Sequence, residues 1–331
     1  MPSTGANDAL QVAVGLLLDR DRVFITRRAA DAHQGGKWEF PGGKLDGDEP
    51  VVNALRRELH EELGIEVRDA SPWMQVRHRY ADREVLLDVW RIAAWDGVPH
   101  GREGQEARWA SVRELPQLDF PEADWPILHR LWLPPLYLIS DARRLGRGEF
   151  LRRLERALRA GARLIQLREP DMASGEFRAL AVEVGDLCHR HDARLLLNAD
   201  PSRVEECGAD GMHLNSRRLR ALEQRPLPRR FLVGASCHDA PELAQAVAVG
   251  ADFMVLGPVE RTASHPQAVP LGWEGFSGLV QTATLPVYAV GGMRPSDLAS
   301  ARQAGAQGLA AIRGIWDAAD IAAAVAACAN G

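Results

Sequence analysis

Residues 43–65 read GKLDGDEPVVNALRRELHEELGI, a glycine-led loop running into a helix whose last turns carry Glu58, Glu61 and Glu62, with Gly64 where a helix stops. Spacings of three and four residues place these carboxylates on one helical face. So close together they repel one another and destabilise the helix, unless a hard cation such as Mg²⁺ or Mn²⁺ sits among their oxygens. An isolated acidic triplet is equally compatible with a solvated face. The case for a metal site therefore depends on the surrounding residues.

On the N-terminal side, Gln11 to Leu18 and Val23 to Thr26 are apolar, β-branched runs around the turn Asp19-Arg20-Asp21-Arg22, the pattern of a hairpin. Trp38-Glu39-Phe40-Pro41-Gly42-Gly43 leads into the acidic helix. Beyond it, strands are expected at Trp73–Tyr80, Val85–Trp95 and Ala107–Ser111, and a closing helix at Pro126–Leu133. This predicts an α/β fold, a mixed sheet with helices packed on it. Trp132-Leu133-Pro134-Pro135 breaks any helix and divides the chain into domains of residues 1–133 and 134–331. A chain of 331 residues accommodates two cores comfortably.

Composition excludes several classes. Residues 1–133 hold 17 Lys and Arg against 23 Asp and Glu, and the remainder 23 against 22, so neither half has the bulk positive charge of a nucleic-acid polymer binder. Cys188, Cys207, Cys237 and Cys328 are scattered without a CxxC pair, which argues against a disulfide framework or zinc site and fits a reducing cytoplasm. No segment is expected to serve as a signal peptide or to cross a bilayer. The two lysines, Lys37 and Lys44, both lie beside the acidic helix, so later cationic chemistry falls to arginine and histidine.

Gly43, Glu49, Arg57, Glu58, Leu59, Glu61, Glu62, Gly64 and Ile65 occupy every fixed position of the Nudix signature, and residues 1–133 resemble that family of hydrolases. AVG at 13–15, FITRRAADAH at 24–33, EFPGGK at 39–44, EGQ at 103–105 and DFP at 119–121 narrow the resemblance to its nucleotide-sanitising, MutT-type branch. The resemblance implies a Nudix α/β/α sandwich and Mg²⁺-dependent hydrolysis of 8-oxo-dGTP to 8-oxo-dGMP and pyrophosphate by attack at the β-phosphorus. It makes Glu58, Glu61 and Glu62 metal ligands, completed or supported by Glu39 and Glu103. Arg57 would orient Glu58 or pair with Glu49, and Gly42 and Gly43 would let the backbone approach. Arg28, His33, Phe40, Arg83 and Asp124 would hold phosphate, sugar and base, although Phe40 is as readily a core residue; for His33 and Arg83 the matching context favours this over an ordinary surface position. One departure bears on specificity: Asp124 stands where this branch has asparagine, and an ionised aspartate can only accept hydrogen bonds.

After residue 135, strand-like runs at Leu136–Ser140, Leu164–Arg168, Leu195–Asn198, Gly211–Leu214, Phe231–Ser236, Phe253–Leu256, Val287–Val290 and Leu309–Ile312 alternate with helical segments, predicting a (β/α)8 TIM barrel. Its site should lie at the strands' C-terminal ends, which carry Gln166, Arg168, Asn198, His213, Ser236, His238, Gly257, Gly291, Gly292 and Arg313. QLRE at 166–169, ADGMHL at 209–214, GASCH at 234–238, LGPV at 256–259 and AVGG at 289–292 resemble thiamine phosphate synthase and its TenI-type tautomerase relatives. The departures fall on the synthase chemistry. Pro170 replaces a lysine, His265 lies near a second lysine position, and Ala199 and Arg218 stand where metal-binding aspartates belong, with Asp200 able to substitute only if its loop shifts. The surviving Ser236, His238, Gly291, Gly292 and Arg313 imply a barrel that binds a thiazole phosphate, with His238 moving a proton, rather than a synthase. The alternatives are a bifunctional thiamine-pathway enzyme whose Nudix half acts on pathway intermediates, and a nucleotide sensor whose barrel binds a partner.

Overall fold

The structure is a computed structural model describing residues 9–262 and 267–329. The chain divides into two compact units, Met1–Trp132 and Leu133–Gly331.

The first unit begins with the hairpin β1 (Leu10–Asp19) and β2 (Arg22–Arg27), followed by the short strands β3 (Trp38–Glu39) and β4 (Gly42–Lys44). Helix α1 (Val51–Leu63) comes next, then the long strands β5 (Glu66–Arg79) and β6 (Glu84–Asp96), β7 (Ala107–Ser111) and helix α2 (Trp125–Trp132). The sheet order is β3-β2-β1-β6-β5, with β4 also on β1 and β7 on β2. It is mixed, because β1 runs parallel to β6 while its other pairings are antiparallel.

Period-two alternation in β1 separates two cores. Ala13 and Leu17 pack with Leu55, Leu59 and Leu63 of α1, whereas Val14 and Leu16 join a cluster containing Ile127 and Leu128 of α2. This is the expected α/β/α sandwich. Strand β5 starts seven residues before the expected Trp73, because register irregularities between Val67 and Met74 carry Pro72 and its polar neighbours along the edge of β6.

The second unit contains eight parallel strands: β8 (Leu136–Ile139), β9 (Leu164–Leu167), β10 (Arg194–Leu197), β11 (Gly211–Leu214), β12 (Leu232–Cys237), β13 (Phe253–Leu256), β14 (Val287–Val290) and β15 (Gly308–Ala311). They close in sequence order, with β15 pairing β8. Each expected strand is present to within one or two residues. Alternation again sorts the side chains: Leu136 and Leu138 join the outer core, while Tyr137 stacks inside against Phe253 and Tyr288, with ring centroids 5.2 and 5.9 Å away. These aromatic rings fill the barrel interior, leaving the strands' C-terminal ends to build a site. No helix among the described residues is long and apolar enough to cross a membrane.

Candidate active sites

Helix α1 ends as its sequence implies: Gly64 adopts a left-handed conformation at φ 70° and its N–H returns to the carbonyl of His60. Upstream, Gly42 (φ 143°) and Gly43 bring the β4 backbone against α1. A Cβ on Gly43 would lie 2.1 Å from the Glu58 carboxyl carbon, and one on Gly42 would lie 2.1 Å from the Ala13 carbonyl oxygen. Side chains are therefore excluded where Glu58 and Glu62 approach the loop. The Gly42 N–H donates to Glu62 Oε2 at 3.1 Å.

Arg57 makes both of the contacts expected of it, donating to Glu58 Oε1 and to Glu49 Oε1 at 2.7 Å each. Its position between these carboxylates raises its own pKa, first through Glu49 and then through Glu58. This ties the loop to the helix and fixes the Glu58 carboxylate.

A cavity of about 730 Å³ opens beside this junction, lined by Arg28, His33, Glu39, Phe40, Glu62, Arg83, Glu103 and Asp124, among others. The structure thus brings together eight of the expected residues. Glu58 is held under Gly43 outside the lining, and Glu61 is exposed, 3.6 Å from Arg57. Phe40 has both of its expected characters: it is 3 % exposed and packs on Phe120, yet contributes to the cavity wall. Tyr80 was missed as a site residue. It lines the cavity just past β5, edge-on to His33 and His78, and its hydroxyl accepts from the Ala123 N–H at 3.3 Å. The only sequence signal was an aromatic residue at a strand end before the turn Ala81-Asp82-Arg83.

The electrostatics of this cavity are those of crowded, half-buried acids. Burial pushes Glu62 up to about 8, against the opposing Gly42 hydrogen bond, and the charges of Glu39, Glu58 and Glu103 push in the same direction as burial. Burial raises Glu39 to about 7 although Arg28 ion-pairs with it. Asp124, 7 % exposed, rises to about 8, through burial first and the charge of Glu39 second. A divalent cation would relieve this repulsion, and an all-oxygen carboxylate set suits a hard ion. As placed, no three such groups among the described residues converge tightly enough to hold a metal ion.

In the second unit a cavity of about 920 Å³ lies at the strands' C-terminal ends. Gln166, Arg168, Asn198, Ser236, His238, Gly291, Gly292 and Arg313 all line it, as do His213, Arg261 and Arg294. Gly291 and Gly292 have φ of 103° and 72°, and a Cβ on Gly291 would strike Pro258 at 2.6 Å, so this corner stays open backbone. Arg218 donates to Asp200 at 2.8 Å, and neither residue lines the cavity. The carboxylate named above as a substitute ligand is therefore engaged by a guanidinium. His265 lies outside the described residues.

Glu242 was also missed. It is 3 % exposed, in the first turn of the helix Ala240–Ala248, and its Oε2 accepts from both the backbone N–H and Nδ1 of His238, each at 2.8 Å. The spacing of four from His238 was the available signal.

Comparison with known proteins assigns both units. A family model described as NUDIX domain matches residues 13–130, and one described as Thiamine monophosphate synthase matches residues 136–315. The "8-oxo-dGTP diphosphatase" of Escherichia coli (strain K12) is 42 % identical over 123 residues, 37 % of this chain and 95 % of that protein. The "Putative thiamine-phosphate synthase 2" of Aquifex aeolicus is 36 % identical over 180 residues, 54 % of this chain and 96 % of that protein. A solved "Thiamine phosphate pyrophosphorylase" from Pyrococcus furiosus superposes with a TM-score of 0.50 at 25 % identity, covering 58 % of this chain and 92 % of that one. The chain therefore belongs to the Nudix family through its first unit and to the thiamine monophosphate synthase family through its barrel, as a fusion of the two.

Proposed function

We propose that the Nudix unit is a Mg²⁺-dependent nucleoside triphosphate pyrophosphohydrolase acting on 8-oxo-dGTP. The observation carrying this reading is that one cavity combines the carboxylates Glu39, Glu62 and Glu103 with the buried acid Asp124. Mg²⁺ or Mn²⁺ held by Glu58, Glu61 and Glu62, with Glu39 and Glu103, would neutralise phosphate charge and acidify a water. Arg28 offers a fixed cation to the triphosphate, and Arg57 holds Glu58 in orientation. A carboxylate among Glu58, Glu62 and Glu103 takes a proton from water as it adds to the β-phosphorus. The bond to the α,β-bridging oxygen breaks, leaving nucleoside monophosphate and pyrophosphate.

Asp124 fits the oxidised base through its protonation. With its carboxyl raised to about 8 by burial, it is neutral at pH 7 and offers one O–H donor and one carbonyl acceptor, as an asparagine amide would. It can then donate to O6 and accept from the N7 hydrogen of 8-oxoguanine, which ordinary guanine lacks. The test is hydrolysis of 8-oxo-dGTP and dGTP with and without Mg²⁺. Activity undiminished by chelator would remove the metal assignment, and equal rates on the two nucleotides would remove the base assignment.

The barrel reads as a binder of a thiazole phosphate, with His238 a candidate for moving a proton on the heterocycle, and not as a synthase. The phosphate would lie at Gly291, Gly292 and Arg313. Joining thiazole to a pyrimidine pyrophosphate requires stabilising the departing pyrophosphate with metal and fixed cations. Pro170 and Ala199 supply neither, and Arg218 is paired with Asp200. Thiamine phosphate formation by this chain, abolished in a His238→Ala, Arg313→Ala double variant, would overturn this. A second reading, in which the two halves serve one thiamine-related pathway, is favoured by the retention of Ser236 and His238 on the barrel cavity.

A further inference from the structure

At the barrel cavity, two hydrogen-bond networks end on neighbouring groups, a buried one on Ser236 near the end of β12 and one through the buried Glu242 on the exposed His238 just past that end. In the first, Gln166 Nε2 donates to the Tyr137 hydroxyl at 2.8 Å, and that hydroxyl lies 3.2 Å from His213 Nδ1. His213 Nε2 is 2.8 Å from Ser236 Oγ. Tyr137 and His213 are 0 % and 2 % exposed, so no bulk water intervenes. A hydroxyl has a single hydrogen. Gln166 donates to Tyr137 and offers it no acceptor, so the buried hydroxyl satisfies its own hydrogen by donating to His213 Nδ1. Burial, reinforced by the charge of Arg168, lowers the His213 pKa to about 3 and keeps the ring neutral. Its one N–H is then on Nε2 and donates to Ser236, whose own hydrogen remains free for a ligand.

The second network has the opposite sense. Glu242 Oε1 accepts from Arg220, with Nη2 at 2.6 Å, while Oε2 accepts the two His238 donors. Burial opposes ionisation of Glu242, but these hydrogen bonds carry its pKa below the ordinary carboxylate value. As a carboxylate it can only accept. Whenever the His238 ring carries a single hydrogen, that hydrogen is therefore on Nδ1, where the Ser216 hydroxyl also lies at 3.0 Å, and Nε2 keeps its lone pair.

We propose that Glu242 and the Gln166–Tyr137–His213 relay are positioning residues giving two neighbouring cavity groups fixed and opposite polarity, Ser236 donating and His238 Nε2 accepting. This rests on the reading that the cavity binds a phosphorylated heterocycle. It adds the class selected: a ring presenting a hydrogen-bond acceptor to Ser236 and a removable proton to His238, both of which line the cavity. In the step this permits, His238 Nε2 takes a proton from ring carbon and the electron pair shifts onto the acceptor atom held by Ser236. The imidazolium returns the proton to a different ring atom, so nothing is oxidised or lost.

Long-range ¹⁵N–¹H correlation on the full-length protein without ligand reads both tautomers. His213 is expected as Nε2–H and His238, when neutral, as Nδ1–H. His213 found as Nδ1–H, which would reverse the relay, or His238 as Nε2–H, overturns the polarity whatever the cavity binds. Calorimetry with thiazole phosphate and with inorganic phosphate then tests selection. Tyr137→Phe and Glu242→Gln should each weaken thiazole phosphate about 2- to 10-fold and leave inorganic phosphate within about twofold. Equal weakening of both probes, or of neither, defeats the proposed selection. Failure of the wild-type protein to bind either probe defeats the cavity reading instead, and the tautomers are still decided by NMR.

Discussion

The two cavities of this chain present opposite electrostatic problems to a phosphorylated ligand. The Nudix cavity concentrates Glu39, Glu62, Glu103 and Asp124, with burial pushing three of them up to between about 7 and 8 and neighbouring carboxylates adding to the rise at Glu62 and Asp124. The barrel cavity is lined by Arg168, Arg261, Arg294 and Arg313 and by open glycine backbone, and the nearby acid Glu242 is already ion-paired with Arg220 and hydrogen-bonded by His238. The first attracts an anion only after a cation has joined it. The second is suited to an anion as it stands. On the proposed functions, departures at metal-ligand positions should therefore matter less to ligand binding in the barrel than they would in the Nudix unit.

The largest effect should come from breaking the acidic half. Glu62→Gln is expected to lower Mg²⁺-dependent hydrolysis of 8-oxo-dGTP about 100-fold or more, while thiazole phosphate binding measured on the same sample is unchanged. A loss within threefold would take Glu62 out of the reaction. Arg313→Ala makes the converse cut. Losing a charge-assisted phosphate contact should weaken thiazole phosphate about 10- to 100-fold and leave hydrolysis untouched, and unaltered calorimetric affinity would place the phosphate elsewhere.

Glu61→Gln sharpens the acidic site itself. Because Glu61 stands exposed beside Arg57, its loss should be smaller than that of Glu62→Gln, at about tenfold. Losses of equal size would make the two carboxylates equivalent ligands, and full activity would leave Glu61 as only an ion-pair partner.

Asp124→Asn should have the smallest effect on rate and an effect on stability that depends on pH. A carboxyl whose folded pKa is raised from 3.8 to about 8 stabilises the fold fully below its unfolded value, and that contribution is lost as pH rises through about 8. Relative to wild type, the variant should therefore gain Tm, by several degrees, between pH 4 and pH 8. The 8-oxo-dGTP to dGTP rate ratio should lose its pH dependence in the variant. A Tm difference that is flat with pH would mean that Asp124 does not titrate in this range.

Local sequence determined much of both units. The β1–β2 hairpin follows from apolar runs around Asp19–Arg22, the end of α1 from Gly64, and the barrel from eight short β-rich runs whose spacing suits parallel strands joined by helices. Residues at strand ends could be placed on the barrel cavity because the fold puts all such ends on one face. The early start of β5 was not legible, since Pro72 and the polar residues before it lack strand character and are held by β6 across bulges. Neither was the split among Glu58, Glu61 and Glu62, which share a helical face but differ in exposure once β4 packs on α1.

Sequence by itself therefore determined the order of elements, the two families and the residue types available at each site. Tertiary structure decided which of those residues carry protons and which way their hydrogen bonds point. Asp124 reads as an ordinary acid until burial raises its pKa, and His238 as a lone imidazole until Glu242, in the first turn of the following helix, fixes its Nδ1 hydrogen. The reason is physical: a residue's identity is local, whereas its desolvation and its partners depend on what the folded chain brings against it.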